Sequence, residues 1–265
     1  MRVNMRTVKI FGYFLWRDFY TFKSRIFTYF INNCFIYPIL YALLFGYIQP
    51  NVFFGSSSQL QGSALFIGHI LIITLVFANT LNSTLLFDLE NIRFTDYQIT
   101  LLPPRIFLIE RIFFTSLLTF MISAPFFPVA KLVLGDSFVT TKASWFMCYI
   151  ILYLGSLYCS AYTMFAACWI PNSRKLRTFW MRVNFPLITF GGLFVPWIVS
   201  FKLSKTLGYA MLFNPLIYIT EGLRSALLQD SSYLPITFCI GALLISSLIF
   251  TLLSWFYFKR KVDPI

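Results

Sequence analysis

Long apolar runs separated by short polar stretches fill the chain from about residue 31 to about residue 258. Within each run the apolar residues lie on all sides instead of alternating with a period of two. That pattern predicts membrane helices and argues against a barrel. A helix needs about 20 apolar residues to cross the hydrocarbon core of a bilayer. The stretches at about 31–49, 63–83, 106–130, 143–170, 184–200 and 236–258 meet this demand. The third and fourth are long enough to tilt or to extend past the bilayer. The fifth is short and is interrupted by Gly191, Gly192 and Pro196. The expected fold is an all-α polytopic membrane protein with six transmembrane helices, forming a single domain over residues 1–265.

Three segments depart from this pattern. In residues 7–30, TVKIFGYFLWRDFYTFKSRIFTYF, the residues Ile10, Phe11, Phe14, Leu15, Phe19, Phe22 and Ile26 recur at about helical spacing. Lys9, Arg17, Asp18, Lys23 and Arg25 interleave with them. This predicts an N-terminal amphipathic helix on the inner membrane surface. In DLENIRFTDYQITLLPP, residues 88–104, a short helix is expected. Glu90 and Arg93 stand three apart on it and can pair, and Pro103 and Pro104 stop it before the third span.

The third segment is residues 201–235. As a plain loop it would expose the run LFNPLIYI to water. As a full span it would bury Glu221 and Arg224, and a charge at a helix centre costs about 2.5–3.5 kcal/mol. The compromise is a shallow re-entrant hairpin in the outer leaflet before the last span. It would keep Glu221 and Arg224 at the headgroups, paired on one helix face.

Composition changes the picture only by excluding alternatives. The chain is 58% hydrophobic and 11% charged with mean hydropathy +0.76, whereas soluble domains carry roughly 25% charged residues. Most of the Lys and Arg lie in the N-terminal segment, the loops after spans two and four, and the tail. Such an excess marks the cytoplasm, so both termini are expected there. The net charge of +12 does not imply nucleic acid: no zinc-finger spacing or RNA-binding signature accompanies it. The charge falls at juxtamembrane positions, where membrane lipids with anionic headgroups are the natural partners. Cys34, Cys148, Cys159, Cys168 and Cys239 all fall inside spans without a C-x-x-C pair and read as small apolar fillers.

Chemistry is sparse. His69 is the single histidine, which excludes two-histidine metal sites; its expected use is a hydrogen bond to a neighbouring helix. No glycine is followed by lysine, so a Walker A phosphate loop cannot form. No catalytic or metal-binding residue, and no cofactor of the chain's own, is expected. The acids lie outside the spans or near their ends, which weighs against a proton- or sodium-coupled carrier. Asn79, Thr80, Asn82, Ser83 and Thr84 crowd one end of span two. They either line a path or, more commonly, bond between helices.

One run carries a more specific signal. FGGLFVPWIVSFKLSKTLGYAMLFNPLIYITEGLR, residues 190–224, resembles the C-terminal signature of type-2 ABC exporter permeases. The matching positions are Gly192, Pro196, Asn214, Pro215, Leu216, Tyr218, Glu221 and Arg224. The stretch with Glu90, Arg93 and Leu102-Pro103 resembles the coupling helix of that family, with Phe94-Thr95 where many members have Gly-Thr. LWRDFYTFKSR followed by IYPILYALLFGY resembles its N-terminal interface helix and first span.

The resemblance implies a division of labour. A separate ATP-binding-cassette ATPase subunit would carry ATP and Mg. A second permease copy, identical or a close paralogue, would complete the unit in a bacterial cytoplasmic (inner) membrane. Coupling to the ATPase would run through Asp88, Glu90, Arg93, Asp96 and Tyr97. Arg17, Asp18, Lys23 and Arg25 would belong to the interface helix. Asn214, Pro215, Tyr218, Glu221 and Arg224 would form the outer re-entrant motif. The substrate would be hydrophobic, lipid-linked or a polysaccharide. Two other classes compete: a secondary transporter, and a membrane scaffold or enzyme that transports nothing.

Overall fold

The computed structural model describes residues 5–49, 52, 59–90, 103–135, 138, 143–230 and 232–262, and every regular element among them is helical. Among the described residues, five helices are long and apolar enough to cross a membrane: Phe27–Ile48, Gly62–Asp88, Pro104–Leu134, Trp145–Trp169 and Ile236–Lys261. A pair bent by 91°, Ser173–Leu193 and Trp197–Leu203, makes a sixth when the two are counted as one span. The chain is an integral membrane protein built from these helices.

No loop separates the amphipathic helix from the first span. Helix Met5–Ile31 continues through Ile48, with right-handed backbone at Ile31, Ile36 and Tyr41 and π-type turns at Asn32–Ile36 and Ala42–Ile48. Pro38 sits between these turns and cannot donate to the helical ladder. The expected stripe forms in part. Phe14 is buried and Ile10, Phe11, Leu15 and Phe22 are half-buried, but Phe19 lies on the exposed side with Tyr13, Trp16 and Tyr20.

The fourth span, Trp145–Trp169, is the hub, packing against the second, third and last spans and the helix Leu216–Leu228. Its small residues permit this: at Gly155 an added Cβ would press on Ile219 at 3.0 Å. Asn82 of span two donates to Ser160 O (2.9 Å) and Thr163 Oγ1 (2.8 Å) and accepts from Thr115 Oγ1 (2.9 Å). It therefore joins spans two, three and four, as the polar cluster led one to expect. Thr80, Ser83 and Thr84 instead donate to carbonyls of their own helix.

Among the described residues, three spans are interrupted. Span two breaks at His69, between Gln59–Gly68 and Ile70–Glu90. Span three turns at Ala124–Pro125 and resumes as Phe126–Leu134. Span five ends earlier than the expected residue 200. Its helical run stops at Leu193, where Gly192 takes φ 85°, a conformation costly to any residue with a Cβ. Pro196 then starts a new helix in another direction, so residues 197–200 belong to the hairpin. The cysteines Cys34, Cys148, Cys159, Cys168 and Cys239 are buried and unpaired.

Candidate functional site

The hairpin consists of Trp197–Leu203, Lys205–Leu212 and Leu216–Leu228. Its corners are closed locally. Ser204 caps the second helix through Leu207 N. Asn214 Oδ1 accepts from Leu216 N (3.2 Å) while its amide donates to Leu187 O of span five (2.6 Å). Pro215, with helical φ and no N–H to lose, sits at the N-cap of the last hairpin helix. Tyr218 Oη donates to Leu212 O (2.6 Å), and Trp197 Nε1 donates to Gly208 O (2.9 Å).

Glu221 and Arg224 pair as the spacing predicts, Arg224 Nη1 to Glu221 Oε1 at 2.9 Å. Their surroundings correct the expectation of a headgroup position: both are 0% exposed, enclosed by protein. Arg224 Nε donates to Ala64 O of span two (3.0 Å) and Nη2 to Gly192 O at the break in span five (2.6 Å). Trp197 N donates to Glu221 Oε1 (3.0 Å), and Thr220 Oγ1 donates to Gly191 O (2.9 Å). A buried charge is tolerated where it is paired and its donors are met. The break in span five supplies one of the extra acceptors, Gly192 O, since a helix end leaves carbonyls without partners. Gly68 lets this clamp close: a Cβ there would run into the Leu193 carbonyl, the Gly192 carbonyl (2.8 Å) and Arg224 (2.9 Å).

Among the described residues, His69 makes no hydrogen bond to another helix, contrary to expectation. Its Nδ1 lies 2.9 Å from Leu65 O of its own helix. Its ring stacks on Phe45 at 3.6 Å and meets Tyr41 and Phe194 at 5.2 and 5.9 Å. Ring contacts therefore link spans one, two and five beside the clamp.

A second polar cluster occupies the opposite end of the bundle. Asp18 of the N-terminal helix is buried, and Arg17 donates to its Oδ1 from Nε (2.8 Å) and Nη2 (2.5 Å). Arg111 of span three pairs with Asp18 (3.3 Å) and with Asp88 at the end of span two (3.6 Å). Beside it, Glu110 is 0% exposed. Glu90 is exposed and accepts from Ser173 N (2.5 Å) and Ser173 Oγ (2.8 Å), in the stretch after span four. These two bonds, the backbone one foremost, hold the Glu90 carboxyl below the usual glutamate range. Lys261 Nζ donates to Ile170 O (2.5 Å) and Ala167 O (3.3 Å), closing the end of span four.

Of the coupling residues expected from the sequence, Asp88 and Glu90 take part in this cluster. Arg93, Asp96 and Tyr97 lie outside the described residues, and so does the anticipated Glu90–Arg93 pair. Lys23 is exposed on the same helix as Arg17 and Asp18, and the Arg25 side chain is outside what is described. Sequence reading missed Glu110, Arg111 as a bridge, Ser173 and the carbonyls that Arg224 uses. Only the adjacent Glu110-Arg111, set in an apolar run, gave a usable signal, because an ionisable residue within a span is a functional candidate by default.

No curated protein and no solved structure matches the chain. The family model described as ABC-2 type transporter matches residues 10–228, from the N-terminal helix to the last residue of the hairpin helix Leu216–Leu228. With its membrane-spanning helices and its broken fifth span, the chain therefore belongs to the ABC-2 type transporter family, as a membrane permease.

Proposed function

We propose that this permease works as the export channel subunit of a complex with a separate ATP-binding-cassette ATPase, which would hold ATP and Mg. A second permease copy, identical or paralogous, would complete the pathway in a bacterial cytoplasmic membrane, with both termini cytoplasmic. The cargo is a hydrophobic, lipid-linked or polysaccharide substrate moved outward. The observation that carries this reading is the charged bridge Asp18–Arg111–Asp88, beside the Glu90–Ser173 contact. A partner pressing on the segment after Glu90 would act on the N-terminal helix, spans two and three, and the stretch between spans four and five. The absence of a Gly-Lys dipeptide in the sequence removes the Walker A route to nucleotide within this chain.

In this scheme nucleotide binding closes the ATPase dimer and favours one of two arrangements of the permease pair. Asp88, Glu90, Arg93, Asp96 and Tyr97 receive the motion, and Arg17, Asp18, Lys23 and Arg25 pass it along the N-terminal helix. The hairpin held by Asn214, Pro215, Tyr218, Glu221 and Arg224 seals the far end. The test is co-purification with an ATPase subunit, followed by reconstitution into liposomes. Nucleotide-dependent substrate movement supports the scheme. Transport by the permease alone, or transport that collapses with the proton gradient while ATP is present, would sink it.

A further inference from the structure

Two exposed arginines at the Glu90 end of the bundle sit over aromatic rings. Arg105, in the first turn of span three, lies 4.9 Å from the centre of the Trp255 ring on the last span. Arg260, in the last turn of the last span, lies 4.2 Å from the centre of the Phe256 ring one turn before it. Lys259 is exposed one turn beyond Trp255. Phe107 of span three and Phe258 of the last span meet at 5.9 Å and hold the two helix ends side by side. Neither Arg105 nor Arg260 makes a hydrogen bond or an ion pair among the described residues.

A ring under a guanidinium restrains it and leaves its N–H edge free. That planar fork matches the oxygens of a phosphate. Three cations gathered around two adjacent rings also repel one another, and an anion among them relieves this. The surface that continues from the rings into the membrane is apolar and exposed. Ile109 lies one turn inside Arg105, and Leu252 and Leu248 lie one and two turns inside Phe256. An occupant that meets both the cations and this track carries an anionic head on an apolar tail. Basic pockets between membrane helices take lipid headgroups of this kind.

We propose that Arg105, Lys259 and Arg260 form a binding site for one anionic phospholipid at the junction of span three and the last span. The phosphate lies against the ring-held guanidinium groups, and an acyl chain runs along Ile109, Leu252 and Leu248. A zwitterionic headgroup fits less well, because its ammonium would face the same cations. The site differs from the diffuse attraction of other juxtamembrane charges. Lys175 and Arg177 are exposed too, but neither sits over a ring among the described residues.

Native mass spectrometry of the delipidated full-length protein in detergent micelles, titrated with phosphatidylglycerol, tests this. The expected result is one phosphatidylglycerol retained under activation that strips phosphatidylcholine of the same chain length. Arg105→Gln combined with Arg260→Gln should weaken retention about thirtyfold, the usual worth of two juxtamembrane arginines, with an unchanged melting temperature. Lys175→Gln combined with Arg177→Gln, the same change in charge elsewhere, should leave retention as in wild type. Phe256→Leu, which keeps every charge and removes a ring, should weaken it about threefold. Equal retention of phosphatidylcholine, or an equal loss in both double variants, overturns the site by reducing it to bulk attraction. Displacement of the lipid by an equal concentration of glycerol phosphate overturns it as well, since the phosphate alone would then be bound. So does an ATPase subunit that co-purifies with wild type but not with the arginine double variant while both retain the lipid, which would assign the patch to a protein partner.

Discussion

At the hairpin end of the bundle, all three guanidinium nitrogens of Arg224 are occupied, by Ala64 O, Gly192 O and Glu221, and nothing of the pair is exposed. At the other end, Arg111 reaches Asp18 and Asp88 at 3.3 and 3.6 Å and its Nε has no hydrogen-bond partner. Glu110 beside it has none either, and Glu90 is open to solvent. Glu221 Oε2 has no hydrogen-bond partner there, but an enclosed network whose arginine donors are all met is held to one arrangement and resists change. An under-filled network near the surface has several arrangements of similar energy, which is what a region answering to a partner requires. The same residue chemistry therefore gives a fixed clamp at one end and a responsive joint at the other.

The comparison breaks most readily at Arg224. Removing one member of a buried ion pair costs about 3–5 kcal/mol because the other charge is left uncompensated. Arg224→Met should therefore sharply lower the melting temperature of the detergent-solubilised protein, and Glu221→Gln added to it should recover part of the loss. A wild-type melt for Arg224→Met would mean that the arginine does not hold the clamp together. Gly68→Ala comes next, at about 1–3 kcal/mol, since the new methyl meets backbone carbonyls that cannot swing aside. An unchanged melt there would show that spans two and five are free to part.

Changes at the opposite end should be smaller and more local. Asp18→Asn weakens both arginine contacts, one of them to the half-exposed Arg17; a loss of about 1–3 kcal/mol is expected. Hydrogen exchange should rise in the N-terminal helix while the hairpin helix Leu216–Leu228 stays protected. Loss of protection in both would erase the distinction between the two ends. Smallest in stability is Glu90→Ala, for which no measurable shift in melting is expected. In the reconstituted complex it should uncouple ATP hydrolysis from transport while assembly survives, and full coupling would remove Glu90 from the proposed pathway. Because Ser173 holds the Glu90 carboxyl below its ordinary range, its contact is intact at neutral pH. It should fail only as pH falls through that lowered value.

Much of the architecture was legible because it depends on local pattern. Unbroken apolar runs located the spans, and Gly191, Gly192 and Pro196 marked the place where the fifth one breaks. The spacing of Glu221 and Arg224 foretold their pairing. Their depth was not legible, because the pair reads the same whether solvent or protein surrounds it. Enclosure came from Ala64 and Gly192, 160 and 32 residues distant in sequence. The N-terminal helix shows the same limit: spacing put Phe19 in the apolar stripe, but the face turned to the bundle was chosen by Asp18 meeting Arg111.

By itself the sequence determined that the chain lives in a bilayer, about where its spans lie, that the fifth one is interrupted, and that no Walker A phosphate loop is present. These follow from hydropathy, from glycine and proline, and from the missing Gly-Lys step, all of which act over a few neighbouring residues. Only the tertiary structure decided which carbonyls Arg224 would take, which helix Asp18 would meet, and that Glu110 would be left without a hydrogen-bond partner among the described residues. Those outcomes depend on which helices pack side by side, and packing brings together residues that no local pattern connects.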